Sequence, residues 1–223
     1  MKLDDYSAYV FDLDGTLVDS VPDLALALNQ ALTELNLNTV TEEQVRHWVG
    51  NGSAKLVERA LDYLKRPSLH TKAHLLFLQV YGECVNQLSA LYPQVEALLD
   101  HIHKKGKPIA LLTNKPMSFV PKLLNAFGIE HYFCFLAGGD SFANKKPHPE
   151  PLLAVLSHID VLPEHALMIG DSQSDVLCAQ QAGVDVLALL QGYHQGVDLL
   201  SLNPTYGVDD ISSFYCLLSN SDT

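Results

Sequence analysis

Cysteine is scarce in this chain and follows no ligand pattern. The four thiols, Cys84, Cys134, Cys178 and Cys216, are far apart among 223 residues, and none belongs to a Cys-x-x-Cys pair. Structural zinc sites and dithiol redox sites need closely spaced thiols. The sequence therefore excludes such a site and predicts reduced thiols in a cytosolic protein.

Basic residues are also few, with 14 lysines and arginines against 26 aspartates and glutamates and a net charge of −12. They form no cluster, whereas proteins that bind nucleic acid normally present a basic face. We therefore expect no nucleic-acid partner. The same charge would repel an anionic substrate, so such a substrate would need a bound cation and a few well-placed lysines.

Long apolar runs are missing, although 48% of the residues are hydrophobic. No run is long enough to cross a bilayer, and the chain does not open with a basic segment followed by an apolar stretch. These features predict a cytoplasmic protein with no membrane partner. The length and hydrophobic content suffice for one domain with a sizeable core, or for one domain with an insert.

The first strong pattern lies near the start of the chain. The apolar run at residues 9–11 predicts a buried strand, which the turn at residues 14–15 ends. Asp12, Asp14 and Thr16 therefore follow at the carboxyl end of the strand, where open α/β sheets place their ligands. An acidic turn also occurs there for backbone reasons alone, so its meaning depends on the rest of the chain.

Helical patterns fill the chain between residues 20 and 88. After a first helix, further helices are predicted over residues 41–49, 53–64 and 70–88. Gly50, Asn51 and Gly52 form the only glycine-rich break between them, and no strand signal lies between Thr16 and Leu91. We predict that residues 17–90 form an inserted, all-helical cap domain.

Strand and helix patterns alternate from Pro93 onward. Apolar strands are predicted over residues 108–113, 133–137, 167–170 and 184–190, with helical segments between them. Repeated strand–helix units imply a parallel sheet with helices on both faces. The predicted fold class is α/β, with a doubly wound, Rossmann-like core formed by residues 1–16 and 91–223.

Polar residues follow several of these strands. Thr113 and Asn114 come after the second strand, a pair of lysines lies at positions 145 and 146, and Asp171 follows the strand that ends at Gly170. Each group alone could be a helix N-cap or a solvated side chain. Their order along the chain, together with the acidic turn after the first strand, is far more specific.

The chain resembles the haloacid dehalogenase superfamily in the order of four motifs, Asp12-Leu-Asp14-Gly-Thr16, Thr113-Asn-Lys115, Lys146-Pro147 and Gly170-Asp-Ser-Gln-Ser-Asp175. It is similar to the bacterial phosphoglycolate phosphatases of that superfamily in Trp48-Val-Gly-Asn-Gly52 and Lys145-Lys-Pro-His-Pro149. The resemblance spans the cap and the core. It implies a phosphatase that uses Mg²⁺ as its cofactor.

The residue types fit such chemistry. Asp12 is the expected nucleophile, because a carboxylate divides the hydrolysis of a phosphate ester into two easier transfers. Asp14 is the expected general acid and, in the second transfer, the general base. Magnesium would offset the negative charges, with carboxylate oxygens from Asp12 and Asp171. The resemblance adds the backbone carbonyl of Asp14 to these metal ligands.

Further side chains are expected to support the reaction. Thr113 would bind the transferring phosphoryl group, and Lys146, which precedes the proline as in the family pattern, would neutralise its charge. Asp175 lies one helical turn after Asp171 and would support the metal or Lys146 from behind. The expected substrate contacts are Thr16, Asn114, Lys115, Gly50, Asn51 and Gly52.

The predicted function is Mg²⁺-dependent hydrolysis of a small phosphorylated organic acid, with 2-phosphoglycolate giving glycolate and phosphate through an aspartyl-phosphate on Asp12. Three alternatives remain open. They are a phosphatase for another small metabolite, a sugar-phosphate mutase of the β-phosphoglucomutase type, and a non-enzymatic phospho-accepting signalling domain. The expected partner is a small phosphorylated metabolite, and the expected assembly is a monomer or a homodimer.

Overall fold

The computed structural model describes residues 3–220, so the first two and the last three residues of the predicted core domain lie outside it. Its strands are β1 Ala8–Phe11, β2 Val18–Asp19, β3 Ala90–Leu91, β4 Ile109–Leu112, β5 Phe135–Ala137, β6 Ala166–Gly170, β7 Asp185–Leu189 and β8 Tyr206–Val208. Its α-helices are α1 Val21–Glu34, α2 Glu42–Trp48, α3 Ser53–Tyr63, α4 His70–Cys84, α5 Val95–Lys104, α6 Val120–Ala126, α7 Glu150–His158, α8 Gln173–Ala182 and α9 Ile211–Ser219.

Six strands form one parallel sheet in the order β5-β4-β1-β6-β7-β8. The chain runs outward from β1 through β4 to β5 and then returns to the other side of β1 with β6. This reversal of direction beside β1 opens a crevice at the carboxyl ends of the strands, where open α/β sheets bind ligands. The predicted fold class is confirmed.

The sheet is buried on both faces. Tyr9 and Phe11 of β1 belong to a hydrophobic cluster on one face, whereas Val10 packs with Ala110 and Met168 on the other. A strand covered on both sides by helices reads as a continuous apolar run, because neither set of alternating side chains meets water. This burial explains why β1, β4 and β6 are recognisable in the sequence.

Some short strands are not predicted from the sequence. The prediction of no strand between Thr16 and Leu91 is wrong at both ends, because β2 and β3 form an antiparallel pair in which Val18 faces Leu91. Two residues are too few to show an alternating pattern. The outer strand β8 is also unpredicted; it is only partly buried and is held by its pairing with β7.

The helices α1 to α4 pack on one another over the crevice, with α1 against α4 and α2, and α3 against α2 and α4. As the sequence predicts, α2 begins after Thr41, whose hydroxyl accepts the amide of Gln44 while the Gln44 side chain accepts the amide of Thr41. These helices lie within the segment 17–90, whose bounds as a cap domain stay a prediction. None of the helices in residues 3–220 has the length and apolar character of a membrane span.

The last cap helix is shorter than predicted, since α4 ends at Cys84 and not at residue 88. The cause lies on α1, where the fully buried Asp23 accepts hydrogen bonds from the amides of Leu88, at 2.8 Å, and Ser89, at 3.1 Å, and from the Ser89 hydroxyl. These bonds draw the segment after α4 back toward α1. They therefore fix the path by which the chain re-enters the core.

Replacement of Asp23 should weaken the fold at this return. We expect Asp23→Ala to lower the free energy of unfolding by about 2–4 kcal/mol, because it leaves three part-buried donors without their charged acceptor. Urea unfolding followed by circular dichroism measures the change. The exposed Asp62 provides the control, and an Asp23→Ala loss no larger than that of Asp62→Ala would contradict the assignment.

Candidate active site

Three neighbouring strands deliver acidic or hydroxyl side chains to one edge of the sheet. Asp12 follows β1, Thr113 follows β4 and Asp171 follows β6. Since β1 pairs with both β4 and β6, these residues meet at the crevice beside β1. All three are buried, at 6%, 2% and 1% exposure, so their polar groups depend on protein partners or a ligand rather than on water.

Lys146 is the cation at the centre of this edge. Its ammonium lies 3.0 Å from a carboxylate oxygen of Asp12 and 2.6 Å from one of Asp175, and it donates to the backbone carbonyl of Leu112. Burial alone would lower the pKa of Lys146, but the two carboxylates raise it above its usual range. Lys146 therefore forms the buried ion pairs at this edge, whereas the neighbouring Lys145 is exposed.

Asp175 is held in place by the start of α8. Its second carboxylate oxygen accepts the amide of Ser172 at 3.0 Å and the Ser172 hydroxyl at 2.6 Å, as in a helix capping box. One carboxylate oxygen thus caps the helix while the other binds Lys146. The structure therefore puts Asp175 beside Lys146, where the sequence predicts a supporting acid.

Asp12, Asp171 and Asp175 together offer oxygens that all lie within 4.8 Å of one another. Asp171 accepts hydrogen bonds from the Thr16 hydroxyl at 2.6 Å and from the amide of Tyr193 at 2.7 Å. Burial is the main cause that raises the pKa of Asp12 to about 7, against the opposing effect of Lys146. Burial, and then the charge of Asp12, raise the pKa of Asp171 well above its usual range.

Two glycines allow the backbone to approach Asp171 closely. Gly15 has φ +89°, and a Cβ there would lie 2.1 Å from Asp171 Oδ2; a Cβ on Gly192 would lie 2.3 Å from the same oxygen. The loop of Gly192 and Tyr193 was missed by sequence reasoning. The available signal was its position after β7, a strand that ends at the same edge of the sheet.

A cavity of about 40 Å³ lies between this edge and the cap helices. Its polar lining from the core consists of Asp12, Asp14, Thr113, Asn114 and Lys115, and the cap contributes Gly50, Gly52 and Ser53. The rest of the lining is mainly apolar and aromatic, with Leu24, Val49, Leu56, Phe77, Tyr81, Pro116 and Phe119. The cavity thus combines a polar floor with a largely apolar roof.

Lys115 is buried in this cavity. Its ammonium lies 2.9 and 3.1 Å from the two carboxylate oxygens of Asp14 and 4.7 Å from the centre of the Tyr81 ring. Although burial would lower the pKa of Lys115, the Asp14 carboxylate raises it above its usual range. The two carboxylates of the first motif therefore have different lysines as partners.

Two predicted substrate contacts lie away from the cavity. The Thr16 hydroxyl is engaged by Asp171, so it orients a carboxylate instead. The Asn51 side chain donates to Ser174 at 3.0 Å and accepts from Arg59 at 2.7 Å and from Gln195 at 3.0 Å. The structure therefore uses Asn51 to join the cap to the core.

The loop of residues 49–52 lies directly on the core. Asn114 donates from its amide group to the carbonyl of Gly50 at 3.1 Å, Lys145 donates to the carbonyl of Asn51 at 3.1 Å, and Gln195 donates to the carbonyl of Val49. These contacts cover the cavity from above. The arrangement gives a secluded site in which one carboxylate could attack and another could transfer a proton.

The comparison with protein families agrees with this geometry. A family model described as haloacid dehalogenase-like hydrolase matches residues 9–189 of the chain. The matched range begins within β1 and ends with β7, so it includes the cap segment and all of the acidic motifs.

Individual relatives cover nearly the whole chain. A protein of Colwellia psychrerythraea named phosphoglycolate phosphatase is 41% identical over 94% of this chain and 95% of its own length. A protein of Psychrobacter arcticus with the same name is 43% identical over 94% of each chain. A crystal structure from Haemophilus somnus, described as a predicted phosphoglycolate phosphatase, has a TM-score of 0.91 and 35% identity over 98% of this chain and 99% of its own.

The two adjacent lysines offer a matched test of the buried charge network. We expect Lys146→Met to lower the free energy of unfolding by about 3–5 kcal/mol, because it leaves two buried carboxylates without their cation. Lys145→Met should cost less than about 1 kcal/mol, since that side chain is exposed. Denaturant unfolding measures both changes, and equal losses would overturn the role given to Lys146.

Proposed function

This chain belongs to the haloacid dehalogenase-like hydrolases, and we propose that, as a phosphatase of that family, it hydrolyses a small phosphorylated organic acid, with 2-phosphoglycolate as its substrate. The observation that carries the proposal is the meeting of Asp12, Asp14, Thr113 and Lys115 in one cavity, with Lys146 behind Asp12. The names of the full-length relatives supply the choice of substrate.

The first half-reaction transfers the phosphoryl group to the protein. A carboxylate oxygen of Asp12 attacks phosphorus and forms an aspartyl-phosphate, while the bond from phosphorus to the ester oxygen breaks. The leaving oxygen takes a proton from Asp14 and departs as the hydroxyl of glycolate. Asp14 lines the same cavity as Asp12, which supports its assignment to this proton transfer.

The second half-reaction returns Asp12 to its starting state. Water attacks the phosphorus of the aspartyl-phosphate and gives a proton to the Asp14 carboxylate, which now acts as a base. Inorganic phosphate leaves with the water oxygen, and the carboxylate of Asp12 is restored. The loop of residues 49–52 lies against the core beside the cavity, where it can limit the access of bulk water to the reacting groups.

The transferring phosphoryl group carries charge that the protein must balance. Thr113 and the amide of Asn114 bind its oxygens, and both residues line the cavity beside Asp12. Lys146 balances the charge from the side of Asp12, to which its ammonium lies 3.0 Å away. Catalysis of this kind rests mainly on positioning and on electrostatic stabilisation.

The donor set fits a magnesium ion. Asp12 and Asp171 offer hard carboxylate oxygens within 4.8 Å, the ligands that Mg²⁺ prefers. Among residues 3–220, no cationic side chain pairs with Asp171, whose pKa is raised by burial and then by the charges of Asp12 and Asp175. We assign Asp12, Asp171 and the backbone carbonyl of Asp14 as ligands. When bound, the ion supplies positive charge that lets a carboxylate approach a phosphate dianion.

Other functions share much of this machinery. A phosphatase for another small metabolite and a sugar-phosphate mutase differ from the proposal mainly in what the cap accepts. The relatives' names favour phosphoglycolate over both, and membership of a hydrolase family argues against a signalling domain. A cytoplasmic location and a monomeric or homodimeric state remain predictions.

Loss of the nucleophile should abolish turnover. We expect Asp12→Asn to reduce phosphate release from 2-phosphoglycolate by about a thousandfold or more, because the amide cannot accept the phosphoryl group. Phosphate release is measured over a panel of small phosphoesters, with Asp62→Asn as the exposed control. Near wild-type turnover by Asp12→Asn would exclude the mechanism, and a wild-type protein with no activity on phosphoglycolate would exclude the substrate.

Magnesium should stabilise the protein in a pH-dependent way. A pKa of about 7 at Asp12 lies above its unfolded value of about 3.8, so the metal-free fold binds extra protons and loses stability as the pH rises through that interval. Mg²⁺ should therefore raise the melting temperature by about 5 °C near pH 8 and by less near pH 5.

Thermal unfolding with MgCl₂ or with EDTA measures this effect. The Asp171→Asn protein should lose the shift produced by Mg²⁺, since it lacks one of the assigned ligands. An identical shift in that variant would mean that the ion binds elsewhere.

A further inference from the structure

Tyr81 of α4 is a buried tyrosine whose hydroxyl has no acceptor. The side chain is 1% exposed and lines the same cavity as Asp14; within residues 3–220 no acceptor takes the proton of its hydroxyl, and the neighbouring Lys115 ammonium can only donate to it. Buried polar atoms in folded proteins nearly always have a partner. A donor without an acceptor, on a side chain that lines a cavity together with Asp12 and Asp14, indicates a partner that arrives with the substrate.

The ring of Tyr81 is fixed on two sides. It stacks on Phe77 with ring centres 5.7 Å apart, and it meets the edge of Phe119 at 5.0 Å. Such packing removes rotational freedom before any ligand binds. The aromatic contacts thus fix the orientation of the ring without forming a hydrogen bond to its hydroxyl.

The charge next to Tyr81 is positive. The Lys115 ammonium lies 4.7 Å from the ring centre and also contacts Asp14, so one cation adjoins both the Tyr81 ring and the Asp14 carboxylate. The other cap hydroxyl in the cavity, that of Ser53, already has His74 as its partner at 3.0 Å. Within the described chain, Tyr81 is therefore the cap side chain whose hydroxyl is still available to a ligand in this cavity.

We propose that the Tyr81 hydroxyl determines substrate specificity by donating a hydrogen bond to the carboxylate of the substrate, at the end opposite the phosphoryl group. This inference rests on the proposed phosphatase function, and it adds the residue that selects phosphorylated acids. A phenol and an ammonium are both donors, and an ionised carboxylate only accepts, so the three groups match. Burial raises the pKa of Tyr81 to about 12, which keeps the phenol protonated.

The apolar walls of the cavity strengthen this selection. Leu24, Leu56 and Phe77 surround the polar groups, and a hydrogen bond to a charged acceptor is stronger in such a setting than in water. An ester that carries a methyl group in place of the carboxylate would leave the phenol without a partner. Discrimination should therefore depend on the hydroxyl and not on the ring.

The test uses Tyr81→Phe, which removes one oxygen and keeps the ring and its contacts. Each acid is compared with an uncharged partner in which a methyl group replaces the carboxylate. The pairs are 2-phosphoglycolate with ethyl phosphate, and 2-phospholactate with isopropyl phosphate. We expect kcat/KM of the variant to fall about 10- to 100-fold more for the acid of each pair than for its uncharged partner. Tyr63→Phe, an exposed phenol on α3, is the control and should leave the ratio unchanged.

The outcomes separate this proposal from the proposed function. If the wild type prefers 2-phosphoglycolate and Tyr81→Phe keeps that preference, the role of Tyr81 is overturned and the function stands. Suppose that the wild type prefers 2-phospholactate over isopropyl phosphate but does not prefer 2-phosphoglycolate over ethyl phosphate. If the variant then loses the preference for 2-phospholactate, the role of Tyr81 stands and phosphoglycolate is the wrong substrate. A wild type that favours neither acid over its uncharged partner would overturn the role of Tyr81.

Discussion

The structure depends on the burial of one ammonium between two carboxylates. Lys146 bridges Asp12 and Asp175. Without it, two buried carboxylates would lie close together with no cation between them. Buried charges are costly unless they are paired and hydrogen-bonded. Because Asp175 also caps α8, the position of the expected nucleophile is linked through Lys146 to the start of that helix.

The second constraint is the contact between the cap and the core. The loop of residues 49–52 is held by side chains from three separate core segments, through Asn114, Lys145 and Gln195. The cavity lies between these two parts and is lined by Asp12 and Asp14 from the core and by Tyr81 from the cap. Substrate selection and catalysis can therefore be divided between the cap and the core, as expected where a lid covers a reacting group.

The sequence predicts the sheet well because its inner strands are buried on both faces. The continuous apolar runs of β1, β4 and β6 are local features, and the polar residues that follow them are visible without the fold. Strands that depend on pairing are not visible in this way. The pair β2–β3 is too short, β8 is half exposed, and α4 ends early because Asp23, which is distant in sequence, binds the segment after it.

The sequence by itself determined the fold class, the family resemblance and the edge of the sheet where the acidic motifs lie. The reason is that burial patterns and turns depend on residues that are close together in the sequence. Only the tertiary structure decided which charges meet. It turned Asn51 and Thr16 away from the cavity, paired Lys115 with Asp14 and brought Tyr81 beside them. The physical reason is that ion pairs and cavities form between segments far apart in the chain, whose approach is set by packing and not by local sequence.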